Sequence, residues 1–462
     1  MKKKKRILIW FFKEVYGFEI LKNLKKKLNI YHCVNFNDPN DLPKLLSNYD
    51  FLITNYNCKK YLFNKNKFLN EIFIKFFEKW KNYFFSRFNF DDTNYLDHET
   101  IFKCQILFLH EYLTKEKINL LIMGPDWGTG SDYILYEIAK KLNIKTLLIK
   151  NTFRNRFFYV QDFEDWGLFK NIDNKNKRIV SENYINNKKV NFWYMKKKFY
   201  LQKKFGFRIF FPFFDGISEY GLSWTLIKIN ISNFLKFKRN IELYKFWCRE
   251  KEREFLTKKL PKNYILFALH FQPEASTMSY GNNYIDQAKA IEELSYVLPK
   301  GYSIIVKDHA RQSSNLHRSD LFYKRLDSLK NVKITNVNDD IHKLMSRSKA
   351  VATITGIVGF EAIFKGKPTI TFGKAWYNFM PYVYKWADKP NILNVLSTKI
   401  QKSKIEKSIS DFTRKMPDGV LYAKWGENAY DFTTGFKKIN FNPKIEAKII
   451  SDSLIKLIKS IT

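Results

Sequence analysis

The chain has 462 residues, of which 45% are hydrophobic, so it is not disordered by composition and two domains with separate cores are expected. The formal charge of +36 favours an anionic partner: nucleic acid, an acidic membrane or a phosphorylated substrate. Because Lys, Asn, Ile, Phe and Tyr are all abundant, as A/T-rich codons would produce, genome composition explains much of the lysine excess. No nucleic-acid-binding module is recognised, and we predict no nucleic-acid partner.

The chain has four cysteines, which are far apart and form no Cys-x-x-Cys pair: Cys33, Cys58, Cys104 and Cys248. Such spacing is typical of reduced thiols in a cytosolic protein and not of a disulfide framework or zinc site. The basic N-terminus leads into an apolar run that is broken at Lys13 and Glu14 without a small-residue cleavage site. We interpret this run as a strand over residues 7–12 and not as a signal peptide. No uncharged apolar stretch reaches about 18 residues, so no transmembrane helix is predicted.

The first part of the chain alternates predicted strands and helices. Strand-like apolar runs cover residues 7–12, 50–54, 119–123 and 145–149, and helical patterns cover 19–27, 67–112 and 131–142. The strand over 119–123, the helix over 131–142 and the strand over 145–149 form a βαβ unit. Such a unit predicts a parallel sheet.

Residues 172–260 interrupt the alternation with interleaved basic and aromatic residues. We interpret this segment as a helical connection whose residues 196–238 attach to an anionic membrane surface. The alternative is a solvated pair of helices whose aromatic side chains pack on the domains.

The second part repeats strand–loop–helix units and predicts a second Rossmann-like domain. Predicted strands cover 264–269, 303–307, 332–334, 350–353 and 369–372, predicted helices cover 286–298, 340–348 and 359–364, and a C-terminal helix over 444–458 is expected to pack on the first domain. The predicted domains are residues 1–171, a connection over 172–260, residues 261–400 and a helical tail over 401–462.

Ligands of doubly wound sheets bind beyond the carboxyl ends of the strands, and four predicted strands end in polar or Gly-rich loops. After the strand over 264–269, Gln272, Glu274, Ser276 and Thr277 follow. Glu274 is a candidate to bind a hydroxyl group or to act as a general base, and the others are candidate nucleotide contacts. The alternative is a group at a helix N-terminus, led by Ser276.

His309 follows the strand over 303–307 and is flanked by Lys307 and Arg311. In this cationic loop, His309 is a candidate to stabilise a leaving phosphate or to act as an acid or base, with its two neighbours as phosphate ligands. A purely structural histidine is the alternative.

The loop after residues 350–353 contains Thr355, Gly356 and Gly359, followed by Glu361. The glycines allow a ligand to approach the backbone, and the N-terminus of the next helix would bind an anion. Glu361, one turn into that helix, is a candidate acceptor for ribose hydroxyls. A tight turn with a favourable acid in the first helical turn is the alternative.

Three further residues complete the candidates. Trp376 and Tyr377 follow the strand over 369–372 and either line a sugar or base pocket or pack in the core. Asp126, after the strand over 119–123, is a candidate to activate the acceptor or is a turn residue.

In this order the loops resemble the capsule polysaccharide biosynthesis family, which includes bacterial transferases of Kdo from CMP-Kdo with a GT-B type fold. The motifs that carry the resemblance are Gln272-Pro273, Lys307-Asp308-His309, the Thr-Gly-x-x-Gly-x-Glu-Ala turn at 355–362, Gly-Lys-Pro at 366–368 and Phe-Gly-x-x-Trp-Tyr at 372–377. The resemblance covers residues 264–386 well and 119–165 loosely. Ala310 stands where the family usually has proline, and the Glu-Asp-Gly signature of some Kdo transferases is not evident.

The resemblance implies an α/β protein with two Rossmann-like domains facing a cleft. We expect a glycosyltransferase of a surface or capsular polysaccharide, with a nucleotide sugar as donor substrate, a glycan or glycolipid acceptor, and no cofactor or metal. We expect a bacterial cytoplasmic protein, peripheral on the inner face of the cytoplasmic membrane. The alternatives are a sugar-nucleotide epimerase, a polyol-phosphate transferase, or a non-catalytic protein of polysaccharide assembly.

Overall fold

The computed structural model describes the following residues: 5–10, 15–28, 30–35, 71, 106–107, 109–124, 130–151, 157–169, 257, 259–272, 274–309, 312, 318–337, 339–419 and 442–461. They fall into two compact units, one within Met1–Val190 and Glu406–Thr462 and one within Asn191–Ile405. The predicted strand over 50–54, most of the helical region over 67–112, and the basic aromatic residues 196–238 lie outside the described residues. The predicted domain boundaries stay predictions.

The strands, in chain order, are β1 (Lys5–Trp10), β2 (Ile30–Asn35), β3 (Leu120–Met123), β4 (Lys145–Asn151), β5 (Phe157–Val160), β6 (Tyr264–Ala268), β7 (Ser303–Lys307), β8 (Val332–Thr335), β9 (Ala350–Thr353), β10 (Thr369–Thr371) and β11 (Val383–Lys385). The α-helices are α1 (Val15–Lys27), α2 (Gly130–Lys141), α3 (Ala275–Met278), α4 (Gln287–Val297), α5 (Asp320–Asp327), α6 (Ile341–Arg347), α7 (Ile357–Phe364), α8 (Ile392–Ser397), α9 (Lys402–Lys415) and α10 (Pro443–Ile461). No described helix is both long and apolar enough to cross a membrane.

The first unit contains a five-stranded sheet in the order β2-β1-β3-β4-β5. Its strands are parallel except for β5, which pairs antiparallel with β4 at the edge. Consecutive residues of β1 and β3 are buried, as expected of parallel strands covered on both faces. The predicted βαβ unit is therefore confirmed.

The C-terminal helix α10 packs against α1 within this unit. Ile20 and Leu24 on α1 and Leu454 on α10 are fully buried at helical spacing. The Ser451 hydroxyl donates to the carbonyl of Ile20, and Lys27 pairs with Asp452. The expectation that the tail packs on the first domain is confirmed.

The second unit contains a six-stranded parallel sheet in the order β11-β10-β9-β6-β7-β8. Side chains of β6, β7 and β9 alternate between two buried clusters, one on each face. Asp286 and Asp340 cap α4 and α6 through their carboxylates, because these side chains accept the otherwise unpaired amides of the first turn. The predicted α/β fold with two Rossmann-like domains is confirmed.

The strand order fixes where this sheet offers a crevice. From β6 the chain proceeds outward to β7 and β8, and then returns to the other side of β6 to form β9, β10 and β11. The order therefore reverses between β6 and β9, and the crevice of such a sheet lies beyond the carboxyl ends of these two strands. The candidate loops after β6 and β9 lie at this position.

Candidate functional site

His270 joins the two loops at the reversal point. Its Nε2 atom accepts the backbone N–H of Thr355 at 3.0 Å and lies 3.1 Å from the Thr353 hydroxyl. Burial, with the nearby His309 and Arg318, lowers the pKa of His270 to about 3, so the ring is neutral. His270 is not among the residues predicted from the sequence, although a histidine directly after a buried strand was a usable signal.

Gly356 is the N-cap residue of α7, and no side chain within the described part of the chain caps this helix. The first-turn amides therefore lack the side-chain acceptor that Asp286 and Asp340 supply elsewhere. A Cβ atom at Gly356 would lie 2.7 Å from the Thr353 hydroxyl and 3.2 Å from Nε2 of His270, so only glycine fits. These features suit the anion site predicted at this turn.

Gly359 lies in the first turn of α7, on the side that packs against the core. Its buried Cα faces the core, where an added Cβ would lie 2.3 Å from the Tyr377 hydroxyl and 2.7 Å from Cγ2 of Thr369. Tyr377 is fully buried and donates to the carbonyl of Gly356 at 2.5 Å. Burial is the main cause that raises the pKa of Tyr377, and the charge of the Glu361 carboxylate raises it further. Gly359 and Tyr377 therefore support α7 from the core side, and their predicted contacts with a ligand stay predictions.

Glu361 carries a buried oxygen atom, Oε1, that accepts no hydrogen bond from any described residue. Burial raises the pKa of this carboxyl to about 7, although Lys365 acts in the opposite direction. An enclosed carboxyl oxygen without a donor is costly, and a ligand hydroxyl would satisfy it.

His309 follows β7 in a loop whose backbone is held by Asp308. The N–H of His309 donates to Oδ1 of Asp308 at 2.7 Å, and its half-buried ring lies 6.0 Å from that of Phe271. The loops after β6 and β7 thus meet at this ring contact. Arg311 lies outside the described residues, so its predicted role stays a prediction.

Lys307 does not lie beside His309 as a free cation. Its buried Nζ atom donates to the carbonyls of Val337 at 3.0 Å and Asp308 at 3.3 Å. Burial lowers the pKa of Lys307, although three neighbouring carboxylates oppose this shift. The ammonium group of Lys307 thus stabilises the turn after β8, and its predicted phosphate contact stays a prediction.

Gln272 is similarly engaged within the protein. Its Nε2 donates to the carbonyl of Ile285 at 2.6 Å, and its Oε1 accepts from Arg318 at 2.9 Å. The side chain of Gln312 forms two further hydrogen bonds with the backbone of Gln272. Its Oε1 accepts the N–H of Gln272 at 2.7 Å, and its Nε2 donates to the carbonyl of Gln272 at 3.1 Å. Gln272 therefore organises the loop, and its predicted nucleotide contact stays a prediction.

The remaining candidates after β6 surround the short helix α3. The carbonyl of Glu274 accepts the N–H groups of Thr277 and Met278, and its carboxylate accepts the Ser276 hydroxyl at 3.3 Å. Thr277 is fully buried, and its predicted ligand contact stays a prediction. The carbonyl of Ser276 accepts the hydroxyl of Thr355 at 2.7 Å, which joins this helix to the loop after β9.

Trp376 is half-buried, with its ring 4.6 Å from that of Phe360. Asp126 belongs to the segment that follows β3 in the first unit and lies outside the described residues. Among the residues that the structure describes, no group of three His, Cys, Asp or Glu side chains is placed to hold a metal ion. Independence from metal stays a prediction.

Fold and site together define an α/β protein of two Rossmann-like domains, the second with polar loops and an uncapped helix at its reversal point. Residues 241–384 match the family model described as capsule polysaccharide biosynthesis protein. This region contains β6 to β10 and all four candidate loops of the second unit. The resemblance to the capsule polysaccharide biosynthesis family is therefore confirmed over about a third of the chain.

Solved structures with similarity include the UDP-GlcNAc 2-epimerase of Methanocaldococcus jannaschii, at 14% identity over 98% of this chain and 100% of that one, with a TM-score of 0.24. The β Kdo 2,7 transferase of Thermosulfurimonas dismutans KpsC shares 9% identity over 98% and 100% of the two chains, with a TM-score of 0.33. The β Kdo 2,4 transferase of the same protein shares 10% identity over 65% and 84%, with a TM-score of 0.27. No curated protein matches the chain significantly. These structural likenesses are too distant to assign a function.

Proposed function

We propose that the protein is a glycosyltransferase that moves a sugar from a nucleotide-sugar donor to a growing capsular or surface polysaccharide, or to its lipid-linked precursor. The second unit binds the donor in this proposal, and the first unit binds the acceptor. The match of residues 241–384 to the capsule polysaccharide biosynthesis family supports this proposal.

The observation that carries the proposal is the pairing of an uncapped helix with an unsatisfied carboxyl group. The N-terminus of α7 begins at Gly356 without a side-chain cap, and Oε1 of Glu361 is enclosed one turn later without a donor. A nucleotide satisfies both, because its phosphate accepts the free amides and its ribose hydroxyl donates to the carboxylate.

We assign to His309 the stabilisation of the negative charge that develops on the departing phosphate. Its ring lies on the next loop along the same sheet edge, beyond β7. Stabilisation of that charge by placed donors requires no metal ion. Glu274 on the loop after β6 is the candidate base of the second unit, and Asp126 is that of the first.

For the donor, the motifs shared with Kdo transferases favour a CMP-linked acidic sugar. For location, the charge of +36 and the basic aromatic residues 196–238 favour a cytoplasmic enzyme attached to the inner face of the membrane. Both statements are proposals that rest on the sequence.

A thermal-shift screen against CMP-, UDP-, GDP- and CDP-linked sugars tests the proposal. A ligand that binds only the folded state at 100 times its Kd stabilises it by about 2.7 kcal/mol, so one nucleotide class should raise Tm. Glu361→Gln should abolish most of this shift, whereas Glu164→Gln, an exposed control in the first unit, should not.

The products then decide the reaction. A transferred glycosyl group supports the proposal, whereas an isomerised nucleotide sugar would replace it with an epimerase and a phosphodiester product with a polyol-phosphate transferase. Absence of any nucleotide-induced shift would favour a non-catalytic protein of polysaccharide assembly.

A further inference from the structure

Arg318 occupies the centre of the candidate loops although no motif contains it. Its side chain is 4% exposed and precedes α5. Its Nε lies 3.1 Å from both carboxylate oxygens of Asp308, while Nη1 donates to Oε1 of Gln272 at 2.9 Å and Nη2 to the carbonyl of His270 at 2.5 Å. One guanidinium group therefore binds residues of two separate loops.

Asp308 completes this buried network from the loop after β7. Its Oδ1 accepts the backbone N–H of His309 at 2.7 Å, and its Oδ2 accepts the hydroxyl of Tyr323 at 2.7 Å. A buried ion pair adds little net stability compared with well-packed apolar side chains. The fixed geometry of a guanidinium fork is its more distinctive contribution.

The network connects the residues that the proposed reaction uses. Asp308, one partner of Arg318, accepts the backbone N–H of His309. His270, whose carbonyl also accepts from Arg318, uses its ring to accept the N–H of Thr355. The loops after β6, β7 and β9 are thus joined by one continuous series of hydrogen bonds. A shift of Arg318 would change the position of all three.

We propose that Arg318 is a positioning residue, which fastens the loop after β6 to the loop after β7 and thereby sets the placement of His309 relative to the uncapped end of α7. This inference rests on the proposed function for its consequence in nucleotide binding. The fastening of the two loops by Arg318, in contrast, does not depend on any ligand.

The test compares Arg318→Lys with Arg325→Lys in the full-length protein. Lysine keeps the charge, but its donors all sit on one nitrogen and do not reproduce the planar fork of the guanidinium group. Arg325 is a matched control, because it also forms a forked pair on the same unit, with Glu292 and Asp286, neither of which belongs to the loops after β6 and β7. Tyr323→Phe is a milder variant that removes one donor to Asp308.

Amide hydrogen exchange is measured first, without ligand. Arg318→Lys should raise exchange by about tenfold or more in peptides containing residues 269–272 and 308–309, as expected when charge-assisted hydrogen bonds are lost. Peptides of β6 and β7 should stay protected, and Arg325→Lys should leave all of these loops unchanged. Unchanged exchange in the loops, or an even rise across the unit, would overturn the inference.

Calorimetric titration with CMP then tests the consequence. Arg318→Lys should weaken CMP binding by at least about tenfold, the effect of losing a hydrogen bond to a charged group. Locally raised exchange with unchanged CMP affinity would contradict a positioning role. If the wild-type protein binds no CMP, the proposed donor fails while the exchange experiment still decides whether Arg318 fastens the loops.

If Arg318→Lys does not fold, Tyr323→Phe replaces it in both measurements. A smaller rise in exchange confined to residues 308–309 is then expected, and the absence of this rise would overturn the inference.

Discussion

Glu361 brings a carboxyl group with a pKa of about 7 into the candidate site. Since its ordinary pKa is 4.5, the folded state binds this proton more tightly than the unfolded state does. As pH rises from about 4.5 to 7, deprotonation of this group therefore lowers the free energy of unfolding. Glu361→Gln lacks this effect, so its stability relative to wild type should increase between pH 5 and pH 8.

Urea unfolding of both proteins across this pH range measures the difference. Parallel stability curves would show that the Glu361 carboxyl is not buried as described. Nucleotide affinity should change in the opposite sense, because the ionised carboxylate is the better acceptor for a ribose hydroxyl. Wild type should bind more tightly at pH 8 than at pH 6, while Glu361→Gln should show a flatter profile.

His309 is the residue whose removal should affect the chemistry most. Loss of one donor to developing negative charge costs about 2.7–4 kcal/mol, or roughly 100–1000-fold in turnover. His309→Ala should thus lower kcat far more than it weakens donor binding, as measured by steady-state kinetics with the donor from the screen. Wild-type turnover in this variant would place the catalytic centre elsewhere.

Steady-state kinetics also distinguishes the roles of the two candidate bases, Glu274 and Asp126. Glu274→Gln should lower kcat if the carboxylate acts as a base and mainly raise KM if it only accepts a sugar hydroxyl. Asp126→Asn should lower turnover without altering nucleotide affinity. Wild-type turnover in both variants and in His309→Ala would favour a non-catalytic protein.

At this scale the sequence indicated which loops follow the strands, but not which partners their side chains contact. Lys307 is the last residue of β7 and was expected to face a phosphate, but its ammonium group reaches the carbonyl of Val337. Strand position alone does not give the direction of a long side chain. Arg318 was missed because partners such as Gln272 and His270 are distant in sequence and meet it only in the fold.

The helix α7 and the strand β10 depend on close packing at Gly359. Alanine there would bring its Cβ to 2.3 Å from the Tyr377 hydroxyl, so Gly359→Ala should lower the free energy of unfolding by about 1–3 kcal/mol. Tyr377→Phe removes that oxygen along with its hydrogen bond to Gly356. The double variant should therefore lose less stability than the sum of the two single losses, measured by urea unfolding. Additive losses would contradict this packing.

Elements were predictable where a short apolar run stood between clear turn residues. The predicted bounds of β7 and β9 agree with the structure, and α4 and α6 begin directly after their capping aspartates. The strands β2, β5 and β11 were missed. The sequence of β2 includes His32 and Asn35, and β5 is a four-residue edge strand whose formation depends on its pairing with β4. Such dependence on a distant partner is absent from local sequence.

At the scale of the whole molecule, length and repeated βα patterns were enough to predict two Rossmann-like domains. The order of the strands was not predictable from these patterns, although it determines which loops meet. The reversal between β6 and β9 brings together residues around positions 270 and 355. A linear sequence with no pairing information does not contain this reversal.

The charge of the chain gives a prediction about membranes. If residues 196–238 hold the protein on anionic lipid, flotation with phosphatidylglycerol-containing vesicles should be strong at low salt and should fall as salt rises, because screening shortens the range of the attraction. Vesicles of phosphatidylcholine alone are the control. Equal binding to both vesicles, or binding to neither, would remove the electrostatic account.

The central claim is that the second unit binds the donor nucleotide at the carboxyl ends of β6 and β9. A crystal structure with the nucleotide that gives the largest thermal shift tests it most directly. The account predicts a phosphate oxygen within hydrogen-bond distance of the first amides of α7, and a ribose hydroxyl on Oε1 of Glu361. A nucleotide bound elsewhere, with Glu361 still lacking a donor, would contradict the account.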